Sequence, residues 1–306
     1  MKYSFMKIAI ILTIVVSMAG CATVQVKHPG IDSVKKIAVV SVTSNYEIRN
    51  MDDKTPATSA KDLSALGKDI GKALTKDLKT GSMKAQVAIT THGAAETSTM
   101  FSHLGGWSLV TIADVMANPS YKEMVSANTG ADAKGVVAKV LAMSKDSAWV
   151  APEGMAVIPF TSVIPASGTM TVTYVNGKAV DPTKDVLASL GALCTKLGVD
   201  AVAVVEVKLS YKATLLTNAS GSGLFAKVRG SAKPAVEVNV AVVDAQGHVV
   251  MNSTPGWATS VGKSAPMMLG GAVDLMDDKG ESVLAYNATI DESVKALSAN
   301  IAKVLK

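Results

Sequence analysis

The strongest fold signal in this chain is residues 200–215, DAVAVVEVKLSYKATL, whose hydrophobic pattern changes halfway along. The first half, residues 200–207, is a nearly continuous apolar run, as in strands that are buried on both faces. From residue 208 onward apolar and polar residues alternate, which is typical of a strand with two different faces. The apolar residues of this second part share one face: Leu209, Tyr211, Ala213 and Leu215. The stretch therefore predicts a buried strand that continues into one arm of a β-hairpin.

The second arm follows from a similar pattern. A Gly/Ser-rich tip at residues 218–223 precedes another alternating segment, residues 226–233, whose apolar face includes Val228. Two apolar runs come next, at residues 236–243 and 249–251. These segments predict further strands after the tip.

The N-terminal half begins with residues 34–42, VKKIAVVSV, which predict a first strand buried on both faces. Ser59 can cap a helix that Gly81 ends, because glycine readily closes a helix. Residues 84–90 then read as a short strand. This half is predicted to open with a β-α-β unit.

Several later elements have clear local signals. Residues 110–116 and 121–127 are predicted as short helices, and an Asn-Gly pair predicts a hairpin over residues 169–180. Residues 183–197 predict a helix that ends at Gly198.

The C-terminal residues place apolar side chains seven apart, at Val283, Ile290, Leu297 and Val304. This spacing predicts a long amphipathic helix packed against the sheet, with a coiled-coil seam as the alternative. The predicted fold class is α/β (α+β): a mixed β-sheet packed by helices, with a β-hairpin excursion and a long C-terminal helix.

The domain organisation follows from these elements and from the N-terminus. Residues 1–20 are predicted to be a signal peptide, and residues 21–33 a polar tether. Residues 34–306 are predicted to form a single α/β domain. Its Gly- and Pro-punctuated stretch at about residues 91–165 is interpreted as an insertion.

The N-terminal signal ends in a cysteine. An apolar run at residues 8–18 and the small pair Ala19-Gly20 come directly before Cys21, which resembles the lipobox of bacterial lipoproteins. The resemblance implies that Cys21 is acylated, and more than one acyl chain would anchor the protein stably, at about 0.8 kcal/mol per buried methylene. Ala22 favours the outer membrane over inner-membrane retention.

Composition restricts the partners. Removal of residues 1–20 takes away two lysines and lowers the formal charge from +5 to +3, and aromatic residues make up only 4% of the chain. Neither a basic stripe nor a base-stacking surface is indicated, so nucleic acid is not an expected partner. With Cys21 acylated, Cys194 is the one remaining thiol, and its apolar helical neighbours predict a buried position.

Several segments together resemble the curli-secretion channel (CsgG-like) lipoprotein family, and more broadly the α/β domain of periplasmic activators of peptidoglycan synthases. The segments occur in the family's order: KKIAVV at 35–40, LGVDA at 197–201, the Gly/Ser-tipped hairpin, VNVAVVDAQG at 238–247, and the last helix. In channel-forming members such a hairpin crosses the membrane in an oligomer. Those members use a second hairpin, whereas residues 252–269 here lack clear alternation.

No catalytic constellation is evident. The histidines are interpreted as surface residues without a metal-ligating partner one helical turn away: His28, His92, His103 and His248. No P-loop and no G-x-S-x-G nucleophile motif occur. The sequence predicts no enzyme, no cofactor and no metal site.

Two tryptophans are candidate anchors for a partner, Trp107 and Trp257, because Trp is enriched at interface hot spots. Core packing is the alternative for both. A further alternative is a small-ligand or hydrolase pocket in the insertion, lined by Trp107, Tyr121 and His103.

We therefore expect a non-enzymatic outer-membrane lipoprotein whose periplasm-facing domain acts in envelope assembly or as a secretion accessory factor, bound to another envelope protein or to its own copies. The first alternative is an oligomeric CsgG-like secretion channel. In either case the hairpin would supply the interface or membrane residues: Leu209, Tyr211, Leu215 and Val228.

Overall fold

The computed structural model describes residues 24–45, 48–50, 68–128, 149–165, 173–175, 178–216, 229–253, 259–262, 265–267 and 281–306. The described α-helices are α1 (Lys68–His103), α2 (Ile112–Ala117), α3 (Pro119–Asn128), α4 (Pro182–Leu197) and α5 (Glu281–Val304). The described strands before α4 are β1 (Val24–Val26), β2 (Lys36–Asn45), β3 (Arg49–Asn50), β4 (Ser108–Val110), β5 (Trp149–Val150), β6 (Thr173–Val175) and β7 (Lys178–Val180). The strands after α4 are β8 (Ala201–Leu216), β9 (Arg229–Asp244), β10 (Val249–Ser253), β11 (Thr259–Val261) and β12 (Ala265–Met267).

The main sheet is mixed, with the strand order β1-β10-β9-β8-β2-β4. Strand β2 pairs in parallel with β8 and with β4, whereas β8, β9, β10 and β1 pair antiparallel in succession. The predicted α+β class, with a mixed sheet packed by helices and a long C-terminal helix, is confirmed.

Helices cover both faces of this sheet. On one face α1 and α5 pack over a core that includes Ile37, Phe101, Val205, Val238 and Leu297. On the other face α4, with α2 and α3, covers a second core that includes Val40, Tyr121, Leu190, Val204 and Val243. Neighbouring strand residues enter opposite cores because side chains alternate across a strand.

Strands β2 and β8 are buried as predicted. Residues 37–44 of β2 and residues 201–207 of β8 are all buried. Their ends are joined by Asp200, whose Oδ2 accepts hydrogen bonds from the backbone N–H groups of Lys35 (2.9 Å) and Lys36 (2.8 Å). The continuous apolar runs therefore identified the two parallel strands that are covered on both faces.

The predicted break after Gly81 is wrong, and so is the predicted strand at residues 84–90. Helix α1 passes through both without interruption, while residues 51–67 lie outside the described part of the chain. The β-branched residues at 87–90 favour a strand locally. The helix prevails because its buried positions recur every three to four residues against the sheet: Gln86, Ile89, Thr90, Gly93, Ala94, Thr97, Met100 and Phe101.

The β-α-β opening exists with a later second strand. After α1 the chain enters β4, where Val110 pairs with Ala38 of β2. The predicted helix at residues 110–116 therefore begins later, at Ile112, because the Thr111 side chain accepts a hydrogen bond from the Asp114 N–H (3.1 Å) and caps it. The predicted helix at residues 121–127 is confirmed as part of α3.

The local signals around α4 and α5 are confirmed. Asp181 caps α4 by accepting a hydrogen bond from the Thr183 N–H (3.1 Å), and Gly198 ends it in the left-handed conformation, at φ 64°. The two strands predicted at 169–180 pair antiparallel as β6 and β7, with their turn outside the described residues. Helix α5 packs on the sheet through Ile290 and Ile301, not as an exposed seam.

Part of the stretch from 91 to 165 is fastened to β2 by polar groups. The Tyr121 hydroxyl donates to the Val40 carbonyl (2.6 Å) and accepts from the Ala156 N–H (2.8 Å). The Ser41 hydroxyl donates to the Ala156 carbonyl (2.9 Å) and accepts from the Ile158 N–H (3.1 Å). These buried bonds hold the extended segment around Ala156 against the central sheet.

Candidate functional site

The most distinctive element is the β8–β9 hairpin. Its arms are 16 residues each, and they pair in one unbroken register from Ala201–Asp244 to Leu216–Arg229. At about 3.4 Å per residue each arm is roughly 50 Å long.

The hairpin has a buried base and a distal part. Strand β2 pairs with β8 only as far as Glu206, and β3 pairs with Ser210 and Tyr211. On the α5 side, the Tyr286 hydroxyl donates to the Ser210 carbonyl (2.9 Å). We call residues 212–216 and 229–233 the distal hairpin, because they extend past these contacts.

A third strand segment runs beside the hairpin. Strand β11 pairs antiparallel with β9 at residues 235–237, and β12 pairs with it at residues 230–232. Part of the 252–269 stretch, which lacked a clear strand pattern, is therefore strand and lies along the distal hairpin. Alternation of apolar and polar residues is hard to recognise in this stretch, because β11 and β12 are only 3 residues each.

A row of polar side chains lies near the base of the hairpin, on the face opposite Leu209. We call it the polar ladder. Asn239 Nδ2 donates to Glu206 Oε2 (2.9 Å) and to Glu237 Oε1 (2.8 Å), and Lys208 Nζ lies 3.7 Å from Glu237 Oε2. Burial raises the pKa of the Glu206 carboxyl, although the Asn239 hydrogen bond and the Lys208 charge act in the opposite direction. The ladder thus places a buried carboxyl near the base of the hairpin.

Substituting Glu206→Gln is expected to change how stability depends on pH. Because burial raises the pKa of Glu206 above its ordinary value of 4.5, the folded state holds this proton more tightly than the unfolded state does. The contribution of Glu206 to stability is therefore present below that value and declines as pH rises through the folded pKa. Glutamine keeps an acceptor for Asn239 and carries no charge.

The measurement is urea unfolding of both proteins from about pH 4 to about pH 7. The stability of Glu206→Gln relative to the original protein is expected to increase across this range. If the free energy of unfolding of Glu206→Gln, relative to that of the original protein, stayed constant or fell with rising pH, burial would not raise the pKa of Glu206.

The predicted hairpin residues have different environments. Leu209 is 1% exposed and packs in the core beneath α1 and α5, so its assignment to a membrane or partner surface is wrong. The strand is still inside the domain at that position. Tyr211 is half-buried opposite Pro234, and Leu215 pairs with Gly230 in the distal hairpin. Val228 lies outside the described residues.

The structure describes one of the two tryptophans predicted as partner anchors. Trp107 is only 6% exposed and stacks on Phe101, with ring centroids 6.1 Å apart, so it is a core residue and not an exposed anchor. Trp257 and Cys21 lie outside the described residues. Cys194 is buried as predicted, and burial, together with the nearby Asp244 charge, raises the pKa of its thiol to about 12.

The pocket suggested for the 91–165 stretch is not formed by its three predicted residues. Trp107 belongs to the core under α1 and α5, whereas Tyr121 belongs to the core on the opposite face of the sheet. His103 is exposed, and its Nδ1 lies 2.8 Å from the Thr99 carbonyl oxygen. The sheet itself therefore separates two of the three side chains.

One cluster was missed by the sequence interpretation. His92 and Glu96 lie one turn apart on α1, and Asp291 of α5 joins them. The expectation that no histidine has a metal-ligating partner one helical turn away is therefore wrong for His92. The four-residue spacing would have indicated the pair, had residues 84–103 been predicted as one helix.

No family model matches this chain, and no curated protein matches it. The resemblance to the CsgG-like family therefore stays a prediction. Among the described residues, no helix has both the length and the apolar composition needed to cross a membrane.

Proposed function

We propose that this protein is a non-enzymatic, lipid-anchored outer-membrane protein whose periplasm-facing domain acts in envelope assembly or secretion, through contacts of its distal hairpin with its own copies or another envelope protein. The observation that carries the proposal is the 16-pair hairpin, which continues past its contacts with β2, β3 and Tyr286. The hairpin thus continues beyond the last buried residues that the structure describes on its two arms, Leu209 and Pro234.

The edge of β8 supports this role. Within the described part of the chain, residues 212–216 pair with β9 on one side and with no strand on the other. An unpaired strand edge offers a row of N–H and C=O groups to which another strand can add. Lys212 is exposed beside this edge. Strand addition at the edge is the mode of assembly that we propose.

The membrane anchor in this proposal depends on Cys21. The lipobox-like sequence supports acylation there. Although residues 21–33 were predicted as a polar tether, β1 (Val24–Val26) already pairs with β10 in the main sheet, so the acylated cysteine would lie only a few residues from the folded domain. Cys21→Ser is expected to release the protein from the membrane fraction and to abolish incorporation of labelled palmitate. Continued membrane association of this variant would contradict acylation of Cys21 as the anchor, without affecting the proposed role of the distal hairpin.

The assembly role is tested by photo-crosslinking in the native host. A photoreactive amino acid at position 212 is expected to give a discrete crosslinked species, because Lys212 lies on the proposed edge. The same amino acid at position 122, which is exposed on α3, is the matched control and should give none. Equal crosslinking at both positions, or none at either, would overturn the assembly role.

A shortened hairpin provides a second test. Lys212 and Lys233 are directly opposite, so replacing residues 213–232 by Asn-Gly closes a two-residue turn in the same register. Light scattering of the acylated protein in mild detergent should show assembly for the original chain and its loss in the shortened one. If the original chain were monomeric and gave no crosslinks at position 212, the proposal would be wrong.

The second candidate is an oligomeric CsgG-like secretion channel. It is favoured by β12, which adds a third strand segment beside the distal hairpin. A membrane-crossing strand needs about 9–11 residues, and residues 212–216 alone are too few, so residues 217–228, outside the described part, would have to supply the rest. Leakage from liposomes reconstituted with the acylated protein would support the channel, and its absence at every protein concentration would exclude it.

A further inference from the structure

Three side chains of types that can bind a metal ion meet on the outer side of the α1/α5 layer. His92 Nε2 lies 2.7 Å from Asp291 Oδ1. One ligand atom each from His92, Glu96 and Asp291 lies within 4.8 Å of the other two. None of these residues belongs to the hairpin, so the cluster is separate from the assembly surface proposed above.

The backbones that carry the cluster are held firmly. Beside His92, α1 approaches the sheet so closely that a Cβ on Gly93 would lie 2.8 Å from Val207 Cγ2. Beside Asp291, the buried Ser293 hydroxyl donates to the Val236 carbonyl (3.0 Å). Two helices fixed to one sheet therefore bring the three side chains together, and only side-chain rotation is needed to adjust them.

The two helices run in the same direction. His92 meets Asp291 at one level, and further along the region of Gly105 meets Leu305, where a Cβ on the glycine would lie 3.3 Å from Leu305 Cδ1. Because His92 and Glu96 are one turn apart on the same face of α1, both can reach an ion that also touches α5. The cluster can thus link the helices.

The donor set suits a divalent transition metal. One imidazole nitrogen and two carboxylate oxygens are common ligands of Zn²⁺ and similar ions. Bonds of about 2.0–2.2 Å place tetrahedral ligand atoms roughly 3.3–3.6 Å apart, which is inside the 4.8 Å limit of the cluster. The side chains of His92 and Asp291 are 28% and 54% exposed, so ion and water can enter.

We propose that His92, Glu96 and Asp291 bind one divalent transition-metal ion of the Zn²⁺ class, which links α1 to α5. Water completes the coordination at the exposed side. The bound ion stabilises the folded protein, because the unfolded chain does not hold the three ligands together.

The test is titration of the chelator-treated full chain with ZnCl₂, followed by calorimetry and by the melting temperature. One equivalent is expected to bind and to raise the melting temperature. Glu96→Gln and His92→Asn should each weaken binding at least about tenfold, since even loss of an outer-shell partner of a metal ligand costs that much.

The matched control is His28→Asn. His28 Nδ1 lies 2.8 Å from Asp32 Oδ1 in another exposed His–Asp pair, but that pair is not part of any three-ligand group among the described residues. This variant should bind Zn²⁺ as the original chain does. A visible Co²⁺ spectrum that Zn²⁺ abolishes gives a second readout on the unmutated protein.

Two results would overturn the proposal. One is the absence of saturable Zn²⁺ binding and of a Co²⁺ spectrum in the original chain. The other is binding that Glu96→Gln and His92→Asn leave unchanged while both variants keep their melting temperature without metal. Either result would leave His92 and Asp291 as a hydrogen-bonded pair only.

Discussion

Phe101→Ala is expected to lower the free energy of unfolding by about 3–5 kcal/mol. Phe101 has no exposed surface and lies in the core between α1 and the sheet. It also stacks on Trp107, so its truncation removes both buried apolar area and an aromatic contact and leaves a cavity. Since domains of this kind are stable by about 5–15 kcal/mol in total, such a loss is a large fraction. Urea unfolding followed by circular dichroism measures it.

Phe101→Leu is the control for this prediction. Leucine keeps most of the volume, and swaps of this type usually cost less than about 1.5 kcal/mol. If both variants lost the same small amount, Phe101 and its stacking on Trp107 would not be central to that core.

Tyr121→Phe is expected to destabilise the domain by about 1–3 kcal/mol although it removes a single oxygen atom. The hydroxyl is the shared partner of the Val40 carbonyl and the Ala156 N–H, both in a buried region. Removing it leaves a donor and an acceptor without this partner. Burial also raises the pKa of Tyr121 to about 12, so the hydroxyl keeps its proton near neutral pH.

The matched control is Tyr286→Phe. The Tyr286 hydroxyl is also buried, but its one hydrogen bond to the described residues is the donation to the Ser210 carbonyl. Its loss is expected to cost about 0.5–1.5 kcal/mol, the contribution of one ordinary hydrogen bond. Equal losses for the two variants, measured by urea unfolding, would show that Tyr121 does not bridge two segments.

Local patterns predicted the elements that depend on local chemistry. The apolar runs identified β2 and the base of β8, and alternation identified the continuing hairpin arm. Asp181 and Gly198 marked the ends of α4 because a cap and a left-handed glycine act within a few residues.

The main failures involve contacts between distant parts of the chain. Residues 84–90 have strand propensity, but the sheet buries one side of a helix there. Leu209 follows the alternation, yet α1 and α5 cover it. The His92, Glu96 and Asp291 cluster joins residues 199 positions apart, counted from His92 to Asp291. No pattern among neighbouring residues in the sequence indicates that Asp291 lies close to the other two.

The pairing of β2 with β8 has a consequence for folding during protein synthesis. The hydrogen bonds that join Asp200 to Lys35 and Lys36 span 165 and 164 positions. Contacts of such sequence separation slow folding, and chains emerge from the ribosome N-terminus first. During synthesis the apolar segment of β2 therefore leaves the ribosome before its partner strand β8 has been made. We expect this interval, and not the finished fold, to be when the chain most needs protection from aggregation.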